Sequence, residues 1–118
     1  MTEAINHKID LQTAAVFYTG TPQSGKVIIG ETGFEFINQN KQRLSLQLVW
    51  ANIELVTASV SLRKKVVRYS IQTQDGLLYS FSSKNANEVL RAMRVYIDAK
   101  KLVKAKSVFD VFHVQHKS

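Results

Sequence analysis

The chain has no cysteine in its 118 residues. That excludes disulfides, a thiolate zinc site and a cysteine nucleophile. Proline occurs once and glycine five times, so there is no proline-rich or glycine-rich linker. No run approaches the roughly 18 apolar residues of a spanning helix. The opening "MTEAINHKIDLQ" lacks the apolar core of an export signal. Together these absences set the expectation of a cytoplasmic protein, with the inner face of the cell membrane as its peripheral station. Acidic residues are scarce in the second half. Residues 1–62 carry four cations against five acids, whereas residues 63–118 carry twelve cations against four acids. A net charge of +7 placed so unevenly suits an anionic partner: nucleic acid, phospholipid head groups or an acidic protein surface.

The length corresponds to one domain, large enough to bury a core without metal or disulfide support. The chain reads as a series of short strands followed by one helix. "TAAVFYTG", "KVIIGET", "GFEFINQ", "LSLQLVW", "ANIELVTASVSL", "KVVRYSIQT" and "LLYSFSS" are rich in branched and aromatic residues. Phe34 and Phe36 fall on one strand face, with Asn38, while Glu35 and Ile37 fall on the other. In "LSLQLVW" the leucines and Trp50 share a face, which makes Trp50 a core residue. Glu31-Thr32-Gly33 reads as a tight turn, and Asp75-Gly76 between two strand-like runs is a hairpin signal. "NANEVLRAMRVYIDAKK" is the helix. Asn85 and Glu88 have capping-box spacing, and Val89, Leu90, Met93, Tyr96 and Ile97 form its apolar stripe. The expected organisation is an N-terminal arm over 1–10, β-sheets over 11–83, a helix over 85–99 and a basic, apolar tail over 100–118. The expected fold is mainly β with one C-terminal amphipathic helix: an antiparallel β-sandwich or barrel capped by a helix.

Gly20-Thr-Pro-Gln-Ser-Gly25-Lys26 spells GxxxxGK, most of a phosphate-binding P-loop. The hydroxyl that should follow the lysine is Val27. The helix that should start there is replaced by the β-branched "KVIIG". The segment therefore reads as a hairpin loop, with Lys26 a cation at a strand edge. No nucleophile-elbow or triad spacing appears, and no carboxylates pair for acid–base work. His113 and His116 lie close in sequence without a third ligand, and His7 is far from both. The expectation is a non-enzymatic protein with no catalytic residue, metal or cofactor.

The sharpest charge cluster is "LRKKVVR", with Arg63, Lys64, Lys65 and Arg68. Arg91, Arg94, Lys101 and Lys104 continue it. The tail carries Val108, Phe109, Val111, Phe112 and Val114, more apolar side chains than a solvated end keeps. These ten residues — the eight cations with Phe109 and Phe112 — are the candidate partner-binding set. No groove-reading helix or stacking platform is visible, which argues against nucleic acid. Exposed strand edges leave room for a homodimer.

"GKVIIGETGFEFIN", "LVWANIELVTASV", "YSIQTQDGLLYSFSSKNANEVLRAMRVYI" and "VFDVF", in this order and spacing, resemble the ManO-like domain-of-unknown-function family associated with mannose-type phosphotransferase system operons. The resemblance runs from about Ile9 into the tail. It implies a pleckstrin-homology-like (PH-like) fold and a regulatory, accessory role in sugar transport. The implied partner is the mannose-type permease, at its cytoplasmic face, or its soluble subunits. The alternative is a peripheral module that binds anionic lipid head groups through the same basic patch.

Overall fold

A computed structural model describes residues 5–40, 43–61 and 65–104. Eight strands form one sheet: β1 (Ile9–Tyr18), β2 (Pro22–Gly30), β3 (Gly33–Asn38), β4 (Arg43–Val49), β5 (Ile53–Val60), β6 (Val66–Thr73), β7 (Leu78–Ser83) and β8 (Leu102–Lys104). One α-helix, α1 (Ala86–Met93), lies between β7 and β8. The strand order is β4-β3-β2-β1-β7-β6-β5-β8. Neighbours are antiparallel except β8, which runs parallel to β5.

The turns arise from the residues that announced them. Glu31 and Thr32 alone separate β2 from β3. Gly76 takes φ +87° between β6 and β7, a left-handed conformation that glycine adopts without a Cβ clash. Its N–H donates to Thr73 O at 2.9 Å, and Thr73 N–H donates to Leu77 O at 2.9 Å.

The sheet curls until its two halves face each other. Phe34 on β3 and Phe81 on β7 have ring centroids 4.9 Å apart. Three strand spacings separate these strands in the order, about 14 Å in a flat sheet. Only strong bending brings the rings into contact. Phe17, Phe36, Tyr69 and the aliphatic residues Val27, Ile29, Ile53, Val56 and Ile71 fill the space between the halves. Helix α1 adds Ala86, Val89 and Met93 to that core and packs against β1, β2, β6 and β7.

Several expectations change. The GxxxxGK segment is not one loop: β2 begins at Pro22, and Gly25 pairs with Ala15 and Asn38 inside the sheet. Lys26 is exposed, yet it stands on an interior strand, between β1 and β3. The helix ends at Met93, short of the expected 99, and it is not the last element. Val95, Tyr96 and Ile97 are β-branched or aromatic and poor at prolonging a helix. The chain tightens there through Val95 N–H to Ala92 O and Tyr96 N–H to Met93 O. Asn85 does not cap α1 with its side chain. Its amide donates to Glu88 at 3.3 Å, and its oxygen accepts from the Thr13 hydroxyl. The strand expected from Ala51 onward starts at Ile53, after a 3-10 turn over Trp50–Asn52.

Candidate functional site

The flank of α1 beside its buried face carries Asn87, Leu90 and Arg91, and Arg94, the residue that ends the helix, continues the stripe. This stripe lines a groove of about 340 Å³ whose other walls are Ala58 and Val60 of β5 and Leu102, Val103 and Lys104 of β8. Three cations and no carboxylate are among the lining residues, together with the aliphatic Ala58, Val60, Leu90, Leu102 and Val103. β8 makes the far wall because its register (Val56↔Leu102, Thr57↔Val103, Ala58↔Lys104) lays it along the outer edge of β5. A 3-10 turn over Ala99–Lys101 delivers the chain to that edge. Asp98 accepts from Lys100 N–H at 2.9 Å to hold the turn. Lys101 Nζ donates to Ile53 O at 3.0 Å, which pins the turn to β5.

The groove therefore gathers Arg91, Arg94 and Lys104 of the expected set. It does not gather the others. Lys101 is spent on the Ile53 carbonyl. Lys65 is exposed and closes the β5–β6 connection, accepting at its carbonyl from Ser61 N–H at 2.8 Å. Arg68 lies on the outer sheet face, its guanidinium carbon 4.0 Å from the Tyr18 ring centroid. The Tyr18 hydroxyl bonds Ser82 Oγ at 2.9 Å. That bond first, and then the Arg68 guanidinium, hold the phenol below its ordinary pKa against the opposing effect of desolvation. Arg63, Lys64, Phe109 and Phe112 lie outside the described residues. A wider depression of about 640 Å³, at Ala14, Gly25, Lys26, Ile37, Asn38 and Gln39, offers one cation, so the α1–β8 groove is the stronger anion-attracting site. Among the described residues no three His, Asp or Glu side chains converge as metal ligands. No helix there is long and apolar enough to cross a membrane.

Sequence reasoning missed the fastening of the N-terminal arm. Glu35 is fully buried, although its place in the alternation puts it on the face away from the core. The arm covers it: Ile5 N–H, Asn6 Nδ2 and Gln47 Nε2 donate to its carboxylate at 3.1, 2.8 and 3.3 Å. Asn6 Oδ1 accepts from Thr32 N–H and Gly33 N–H at 2.8 and 3.0 Å. Glu31 accepts from His7 N–H and Lys8 N–H at 2.6 and 2.7 Å. Gly30 is required beneath the arm, because a Cβ there would stand 2.2 Å from Lys8 O. The available signal was the pair of carboxylates at Glu31 and Glu35 next to Gly30 and Gly33. Trp50 joins the same end, donating from Nε1 to Gly30 O at 2.9 Å and stacking on Tyr96 at 5.2 Å.

A curled, mainly β sheet with one α-helix defines the class, and solved structures share it. One is the C-terminal domain of an unknown protein from Leishmania infantum, with a TM-score of 0.60 and 11% identity over 73% of this chain and 83% of that one. Another is the Slm1-PH domain in complex with phosphoserine, with a TM-score of 0.56 and 7% identity over 73% of this chain and 90% of that one. No curated protein matches the chain. By sequence, the chain belongs to the family described as a domain of unknown function, DUF956, whose model matches residues 1–116.

Proposed function

We propose that this protein is a non-enzymatic docking module that binds an acidic protein surface through the groove between α1, β5 and β8. The observation that carries this reading is the groove's composition: Arg91, Arg94 and Lys104 together with Leu90, Leu102 and Val103, with no carboxylate in the lining. An apolar centre within a charged rim is the usual make-up of a protein interface. The finer fold reading belongs with it: a PH-like β-sandwich, closed on one side by α1 through Ala86, Val89 and Met93. The resemblance to the ManO-like family supplies the partner to be tried, the mannose-type phosphotransferase permease at its cytoplasmic face or its soluble subunits. The role is regulatory.

The test is a pull-down of that permease and its soluble subunits from native membranes and lysate with tagged protein. Wild type is compared with Arg91→Glu/Arg94→Glu, both checked for folding by circular dichroism. Recovery with wild type and loss with the folded variant is the expected result. Equal recovery by both would remove the groove from the interface. Absence of the transporter, with salt-sensitive binding to protein-free acidic vesicles, would replace docking by head-group recognition.

A further inference from the structure

We infer that the groove's own first occupant is the segment that follows β8, residues 107–114 of the same chain, and that an acidic partner must displace it. The inference rests on the docking reading of the groove and adds its regulation.

Two observations meet here. The first is position. Lys104, the last residue of β8 and the last described residue, is itself a groove wall. Val60, another wall, stands two residues beyond Ala58, the partner of Lys104 in the parallel register. The groove thus extends past the point where β8 ends. Five residues lead from Lys104 to Phe109, a reach of up to about 17 Å. The eight residues of α1 span about 12 Å. Phe109 can therefore meet any part of the helix wall, including by doubling back.

The second observation is complementarity. "SVFDVFHV" alternates aromatic and branched residues around Asp110, the only carboxylate in residues 99–118. The groove offers the inverse: Arg91 and Arg94 beside an aliphatic floor, with Val103 still 39% exposed. One acid between Phe109 and Val111 matches a rim of cations over Leu90 and Leu102. Asp110 would pair with Arg91 or Arg94 and offset one of the groove's three positive charges, and Phe109 and Phe112 would cover its aliphatic residues. A partner that presents an acid flanked by apolar side chains would then compete for the same contacts, so the segment sets a threshold for docking.

The experiment uses the full chain. It has no cysteine, so Gln115→Cys, eleven residues past Lys104 and just beyond the docked segment, accepts a single nitroxide label without background. In dilute solution, amide signals of Asn87, Leu90, Arg91 and Val103 are compared between oxidised and reduced label. Loss of these signals with oxidised label, and their return when Asp110→Lys is added, is expected. Restoration of the loss by Arg91→Glu/Arg94→Glu in the Asp110→Lys background would fix the charge pairing. Signals that persist in the wild-type background, or broaden equally over Lys26 and Leu78, overturn the proposal. So does broadening seen only when labelled unenriched chains are mixed with enriched unlabelled ones, since that assigns the contact to a second copy. No transporter enters this experiment, so its failure is separate from failure of the docking reading. A docked segment with no transporter bound would leave the groove's occupancy standing and remove its partner.

Discussion

Among the described residues of the arm, Asn6 makes the densest set of side-chain hydrogen bonds. Its side chain accepts two backbone N–H groups and donates to Glu35 and to Gly33 O. Removing it leaves a buried carboxylate short of a donor and two N–H groups without their acceptor. Each such loss costs about 1–3 kcal/mol, and partial entry of water lowers the sum. Asn6→Ala is expected to destabilise the protein by about 3 kcal/mol in urea unfolding. Asn87→Ala, at an exposed helix position, should stay within about 0.5 kcal/mol. Equal midpoints for the two variants would show that the arm is not fastened as drawn. A second residue-scale prediction concerns Tyr96. Its phenol is pushed up to about 12 from the ordinary 10, first by the hydrogen bond it donates to Asp10, then by desolvation and by the charges of Asp10 and Glu31. A raised folded value means the native chain holds this proton more tightly than the unfolded chain does. The stability it contributes is whole below about pH 10 and is lost as pH rises through about 12. Tyr96→Phe should therefore show a shallower loss of stability over that window than wild type. Trp50, stacked on this ring and the only tryptophan, supplies the fluorescence readout. Identical slopes would sink the assignment.

At the scale of elements, the sequence disclosed what local chemistry decides. Alternation placed Phe34 and Phe36 on the core face, and Asp75-Gly76 marked the β6–β7 hairpin, because turn residues and period-2 patterning act over a few neighbours. The helix's existence was legible from Val89 and Met93. Its end was not, because Tyr96 is recruited by Trp50 and Asp10, both remote in sequence. β8 was hidden for the same reason: in "KLVK" only Leu102 and Val103 stand between two lysines, and only pairing with β5 makes Leu102–Lys104 a strand. The burial of Glu35 depends on an arm 29 residues away, which no strand pattern contains. The helix carries its own prediction. Met93 is fully buried, whereas Val95 is 71% exposed. Met93→Ala should cost about 2–5 kcal/mol through lost burial and the cavity left behind. Val95→Ala, two residues on, should cost less than about 0.5 kcal/mol. Paired denaturation curves decide it, and a large Val95 effect would place the chain after Met93 in the core.

For the whole molecule, the charge imbalance of the sequence told which half carries the cations but not where in space they gather. "LRKKVVR" read as the centre of the patch because its charges are adjacent in the chain. The described structure instead builds its cationic groove from Arg91 and Arg94, at the end of α1, and Lys104 of β8, ten residues beyond Arg94, brought together by the path of the chain along β5. Such a groove responds to salt in a way that separates it from a charged surface alone. The Debye length falls from about 10 Å at 0.1 M to about 3 Å at 1 M, so attraction by exposed cations fades across that range. Contacts with Leu90, Leu102 and Val103 do not fade, because burial of apolar area is indifferent to screening and is strengthened by excluded salts. Binding of an acidic protein partner should weaken over this titration and then level off at a residual affinity. Val103→Asn, polar but uncharged, should abolish the plateau while leaving the low-salt slope in place. Arg91→Glu/Arg94→Glu should do the reverse, flattening the slope. Affinity that falls to nothing in wild type by about 1 M salt would mean that charge alone holds the partner, and the groove's aliphatic floor would lose its role in docking.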